Sequence, residues 1–215
     1  MDKFQDFYIL EGDKILERAM RKDRVTDVKD YQKAHLNKAL QFCKQTRIGI
    51  DIGANYGIMS YNMSKVFGHV YAFEIDKNVY ECLDRNVKEL GLKNVDIFPY
   101  GLGDTTKTVG LNVKPGKSFS THVNEDGNDA QIKTLDSFGF DSVDFLKIDA
   151  EGYEPLIIQG AMKTIERCKP IIFYERKGHE ERFGYHKGSV LEMLKDLGYK
   201  DLAHIDHKNG VIGAD

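Results

Sequence analysis

Five short apolar runs, RIGIDIG, HVYAFE, VDIFPY, VDFLKID and PIIFYE, alternate along this chain with segments whose apolar residues recur every three or four positions. The runs read as buried strands and the intervening segments as amphipathic helices. Such alternation leaves few folds open. It predicts an α/β architecture with a mostly parallel central sheet, flanked by helices on both faces. With 215 residues, 41% of them hydrophobic, the chain is long enough to bury that core within one large domain.

The helical segments carry their own punctuation. From Tyr56 to Phe67, Met59, Met63 and Val66 share a face before Gly68. In NVYECLDRNVKEL, Val79, Leu83, Val87 and Leu90 point inward and Gly91 holds the stop position. PLIIQGAMKTIERC reads as one helix opened by Pro155, and Ser189 with Glu192 as a capping box that starts VLEMLKDL, which Gly198 ends. The closing NGVIGAD predicts an antiparallel strand that completes the sheet. Residues 46–215 are the domain so outlined. Residues 1–45 predict a helical extension packed on it, because Val28, Tyr31, Leu36, Ala39, Leu40 and Cys43 form an apolar stripe. Residues from about 103 to 134 are polar, with short alternating pieces, and predict an inserted hairpin or loop.

Charge narrows the partners. A formal net charge of −3 with no basic tail predicts no nucleic-acid partner. Cys43, Cys82 and Cys168 are far apart and form no CxxC pair, which suits a reducing compartment, and the cytoplasm is the expected location. The charged first twenty residues do not read as a signal peptide. No apolar run is long enough to cross a bilayer, so no membrane partner is expected. Oligomeric state is not legible.

The first strand turns into the first helix through DIGANYG, Asp51 to Gly57. Glycines at such a turn let a ligand approach the backbone, and in parallel sheets ligands sit at the carboxyl ends of the strands. Glu74 ends the second strand about twenty residues on, where an acid accepts hydrogen bonds from ribose hydroxyls. Asp51, Gly53, Asn55, Gly57, Glu74 and its neighbour Ile75 are therefore candidate cofactor contacts. Tyr100, Gly101 and Leu102, after the third strand, are the candidates for adenine. The GxxxG spacing departs from the crowded glycines that hold a pyrophosphate, and Asp51 beside it disfavours an anion. A cationic adenosine ligand fits better, namely S-adenosylmethionine, with its amino group on Asp51 and the loop carbonyls.

DIGANYG, FEIDKN and SVDFLKIDAEGYEPLIIQGA, ending in PIIFYE, resemble the FkbM family of S-adenosylmethionine-dependent methyltransferases over about residues 46 to 200. LKIDAEGYE is the most specific part of the likeness. The resemblance implies a Rossmann-like class I methyltransferase fold and methyl transfer, usually to a hydroxyl of a sugar or natural product, so a small-molecule or carbohydrate acceptor is expected. In that frame Asp149, at the end of the fourth strand, is the first candidate for general base or for orienting the acceptor, and it also lines the cofactor site. Glu151 is the second. Glu175, at the end of the fifth strand, points into the same crevice. Lys147 reads as an ion-pair partner of Asp149 or Glu151, and Glu154 as an acid in the first turn of the next helix. Asp149, Glu151 and Glu175 together raise a divalent metal, which Arg176 disfavours, and no metal site is assigned. Arg176 and Lys177 read either as anion contacts or as a solvated turn, and His122 and His179 as bases or as exposed loop residues. Two other readings remain: a nicotinamide-dependent oxidoreductase, and a non-catalytic cofactor-binding domain.

Overall fold

Phe7 and Ile9 are buried and alternate with half-buried Tyr8, so the chain opens on a hairpin, β1 (Asp2–Phe4) and β2 (Phe7–Ile9), and not on a helix. A computed structural model describes residues 1–114, 118 and 121–214. The expected N-terminal helix is further divided into α1 (Ile15–Lys22), a 3₁₀ turn (Val28–Asp30) and α2 (Lys33–Leu40), with Gln32 at φ 57° between the last two. The apolar stripe is nevertheless correct at Val28, Leu36 and Ala39, which are buried. Its continuity is what fails, since a left-handed residue cannot continue a helix.

The core elements follow as β3 (Ile48–Ile52), α3 (Ile58–Ser64), β4 (His69–Phe73), α4 (Lys77–Glu89) and β5 (Val95–Phe98). Met59 and Met63 are buried as their spacing requires, whereas Val66 falls beyond α3 and is 40% exposed. Asp76 caps α4 by accepting from Asn78 N and Val79 N, and Gly91 follows the helix at φ 63°. The polar insertion folds as β6 (Gly101–Leu102), β7 (Lys107–Asn112), β8 (His122–Asn124) and β9 (Ala130–Lys133), a small sheet in the order β6-β9-β7-β8. Residues 115–117 and 119–120 of the insertion lie outside the described residues.

Then come β10 (Phe145–Ile148), α5 (Glu154–Gln159), α6 (Met162–Cys168), β11 (Ile171–Glu175), α7 (Ser189–Leu194), β12 (Lys200–His204) and β13 (Asn209–Gly213). The single helix predicted after Pro155 is two. At Gly160 a Cβ would stand 1.8 Å from the Gly103 carbonyl oxygen, so the backbone of the insertion passes where a helix side chain would be. The capping box at Ser189 does not form either. Gly188 is the cap, and the Ser189 hydroxyl donates to His186 O.

Among the described residues, seven strands form the central sheet in the order β12-β13-β11-β10-β3-β4-β5. β5, β4, β3, β10 and β11 are parallel to one another, and β13 runs antiparallel between β11 and β12, so the predicted closing strand is present, although Asp215 lies outside the described residues. One face packs Ile50, Leu146, Ile148 and Ile172 against Ile157, Ile165 and Leu194 of α5, α6 and α7. The other packs Val70, Phe145, Phe173 and Val211 against Leu36, Met63 and Leu83 of α2, α3 and α4. The order reverses between β3 and β10, and there the sheet opens a crevice at its carboxyl edge. No helix among the described residues is long and apolar enough to cross a membrane.

Candidate functional site

Parallel register stacks the chemistry in layers. Lys147 of β10 lies beside Asp51 of β3 and Phe173 of β11. Two residues further, on the same face, are Asp149 and Glu175. The lower layer is dry: Asp51 is fully buried and Lys147 is 5% exposed. The Lys147 ammonium meets Asp51 Oδ1 at 3.0 Å and donates to Gly53 O at 2.7 Å and Ile52 O at 3.2 Å, while the Ser60 hydroxyl donates to Asp51 Oδ2 at 2.6 Å. Burial works against the lysine charge, but Asp51, then Asp149, outweigh it and hold its pKa above the ordinary range. This corrects two expectations. Lys147 pairs with Asp51, not with Asp149 or Glu151. Asp51 and the loop carbonyls, given above to a ligand's amino group, already serve Lys147.

The upper layer lines a cavity of about 830 Å³, within the range of small-molecule and cofactor sites. Gly53, Asn55, Glu74, Ile75, Tyr100 and Gly101 form its β3–β5 wall, and Asp149, Glu151 and Glu175 its β10–β11 wall. Asp51 and Gly57 are not at the wall. Gly57, at φ 82°, is needed where a Cβ would meet the Leu83 side chain at 2.5 Å, so its role is packing of the turn on α4. Gly53 makes way for protein as well, since a Cβ there would stand 2.0 Å from the Asp149 carbonyl oxygen. At Gly101 the missing side chain leaves room for Ile75.

Glu74 is 7% exposed. One of its oxygens accepts from Asn55 N at 2.8 Å and the other from Asp76 N at 2.9 Å, which fixes the carboxyl at the wall with lone pairs left for a ligand's hydroxyls. Burial raises its pKa to about 7 against the pull of those amides. On the opposite wall Glu151 meets His179 Nδ1 at 2.9 Å and Lys177 at 3.2 Å, and Lys177 contacts Glu175 directly. Burial and the nearby Asp149 push Glu175 up, and Lys177 pulls it back. Lys177 is thus not a solvated turn residue, while Arg176 turns to Asp201 at 3.1 Å. Among the described residues no hydrogen bond engages the Asp149 carboxylate, so both of its oxygens are left to accept.

Beneath this wall Glu154, 2% exposed, begins α5 and accepts from Ala150 N and Gly152 N, fixing the loop that carries Glu151. Burial raises its carboxyl from the ordinary 4.5 to about 7, on the order of 3 kcal/mol. Below pH 4.5 the group is protonated in folded and unfolded chain alike, so its full contribution to stability is present there and is lost as pH rises through about 7. A Glu154→Gln variant should therefore show a shallower fall of Tm with pH between about 5 and 8 than the parent. An unchanged slope in thermal melts across that range would refute this assignment.

Two wall segments escaped the sequence reading. Tyr31, Gln32 and His35 before and within α2, and residues 206–209 at the β12–β13 turn, close the cavity from above. His122 of β8 also lines it. Only the topology brings these together, and no local pattern announces it.

The Methyltransferase FkbM domain matches residues 51–200. No curated protein matches the chain. Among solved structures, methyltransferase FkbM from Methylobacillus flagellatus KT is similar at TM-score 0.55 and 15% identity, over 92% of this chain and 58% of that one, so the chain spans less than two thirds of that protein's length. SMU.1697c from Streptococcus mutans, solved in complex with SAH, gives 0.52 and 14%, over 88% and 97%. An rRNA methylase from Streptococcus thermophilus gives 0.51 and 12%, over 83% and 92%. At these identities the likeness establishes the fold, that of class I S-adenosylmethionine-dependent methyltransferases. The presence of an rRNA methylase among these relatives means that the fold alone does not support the expected absence of a nucleic-acid partner.

Proposed function

The chain belongs to the FkbM methyltransferase domain family, and from that premise we propose that it transfers a methyl group to a hydroxyl of a sugar-like or natural-product-type small molecule. The observation that carries the reading is the pair of carboxylates facing one cavity across the switch point: Glu74, fixed by two backbone amides, and Asp149, uncommitted. S-adenosylmethionine, when bound, supplies an electrophilic methyl group carried on a positive sulfur. The residues suit it. Glu74 accepts from the ribose hydroxyls, Ile75, Tyr100 and Gly101 flank the adenine, and the acidic wall favours a cation without phosphates. Asp149 orients the acceptor hydroxyl and takes its proton as the oxygen attacks, a role that needs a free carboxylate within hydrogen-bond reach.

Polar groups on the covering segments, Gln32, His35, Asp206 and Asn209, suit an acceptor rich in hydroxyls. Glu74, Asp149, Glu151 and Glu175 would repel the phosphates of a nucleic acid, which supports a small acceptor. Free Cys43, Cys82 and Cys168 are in keeping with action in the reducing cytoplasm.

Calorimetric titration of the full chain with S-adenosylmethionine, S-adenosylhomocysteine and NAD tests the reading. The first two should bind, and Glu74→Ala should weaken both by about a hundredfold, the loss of two hydrogen bonds to a charged group. NAD binding alone would replace the reading with the nicotinamide alternative. Tight binding of the first two without any transfer in a broad acceptor screen would favour a non-catalytic domain.

A further inference from the structure

The β10–β11 end of the cavity gathers more negative charge than orienting one hydroxyl requires. Asp149, Glu151 and Glu175 all face it, and carboxylates so placed repel one another. One cation stands among them, the Lys177 ammonium, in contact with Glu175 and 3.2 Å from Glu151. Glu175 is 7% exposed, and its Oε2 is buried with no hydrogen-bond partner among the described residues. One ligand atom each from Glu151, Glu175 and His179 lies within 4.8 Å of the others. Two carboxylates and an imidazole at that spacing form a donor set for a divalent ion. The frame is built to keep them there. Glu151 sits at φ 52°, and Gly152 lets the His179 backbone approach to where a Cβ would be 2.4 Å from its carbonyl oxygen.

We propose that this cluster has the form of a divalent-cation site and that its occupant is the Lys177 ammonium, a cation supplied by the chain itself. In the methyl-transfer reading, on which this role rests, Lys177 is a positioning residue. It holds Glu151 and Glu175 at the acceptor's side, does so without a metal ion, and leaves Asp149 free for the hydroxyl proton.

The test is Mn²⁺ binding to the full chain, followed by electron paramagnetic resonance and calorimetry, which does not depend on methyl transfer or on the cofactor. Lys177→Met should bind Mn²⁺ about tenfold or more tightly than the parent, because oxygen-ligand sites gain affinity with uncompensated ligand charge. Lys177→Arg should behave as the parent, and adding Glu175→Gln to Lys177→Met should abolish the gain. Lys177→Gln serves as a second neutral variant should the methionine variant fail to fold. Parent-like Mn²⁺ binding in the neutral variants, tight binding in the parent, or a gain that survives Glu175→Gln would each overturn the proposal. Failure of cofactor binding in the titration above would leave these results standing and remove only the catalytic role.

Discussion

Lys147→Met is expected to cost about 3–5 kcal/mol of stability, the usual penalty for stranding a buried charge, and so to lower Tm by roughly 6–20 °C in a chain of this size. The loss comes less from the missing ammonium than from what it leaves behind. Asp51 is fully buried, and with Lys147 gone its remaining partner is the Ser60 hydroxyl at 2.6 Å. The Ile52 and Gly53 carbonyls lose a donor in the same step. The double variant Lys147→Met with Asp51→Leu should recover much of the stability, since replacing both partners of a buried pair by apolar groups is often neutral. Thermal melts of parent, single and double variants settle the matter. A single variant that melts within about 2 °C of the parent would show that Asp51 is not left as an uncompensated charge.

Asp149→Asn is expected to lower kcat/KM for the acceptor by about 10²- to 10⁴-fold, the range for a lost general base, while the proposed ribose contact at Glu74 is kept. The distinction follows from where Asp149 stands. Glu74 carries the proposed ribose contact on the opposite wall and is fixed by Asn55 and Asp76, neither of which touches Asp149 through a hydrogen bond. Asparagine keeps the shape and removes the proton acceptor. Activity that stays within a few-fold of the parent would move the base to Glu151, Glu175 or His179.

The fold was legible because its strongest signal is local: apolar runs and helical stripes in strict alternation dictate a covered parallel sheet, and the family likeness in LKIDAEGYE agrees. Asp149 and Glu175 were placed together by period-two alternation at adjacent strand ends, which needs nothing beyond strand order. Failures occurred where a residue's partner lies on another strand or another segment. Asp51 looked like a ligand contact because an acid in a glycine turn suits a cation. The cation proved to be Lys147, one strand away at the same register. Gly57 and Gly160 were visible as glycines, but Leu83 and Gly103, which make them necessary, were not. The N-terminal hairpin and the β12–β13 turn over the cavity gave no signal for the same reason. Their placement is set by non-local packing.

Asp13 shows how far that packing reaches. It is 2% exposed and accepts from the Tyr56 hydroxyl at 2.6 Å and the Ser118 hydroxyl at 2.7 Å, so the N-terminal segment, the glycine turn and the insertion meet at one carboxylate. Around it Phe7, Leu16, Met20 and Val28 pack on Ile58, Val79 and Cys82. During synthesis this first segment leaves the ribosome before any of those partners exists. Asp13 must wait for a residue 105 positions later, some 5 to 20 s at ordinary rates of chain elongation. Until then Phe7, Leu16 and Met20 remain exposed on the nascent chain, and the contact that joins the first segment to the insertion becomes available only after β3, β4 and β5 have been made.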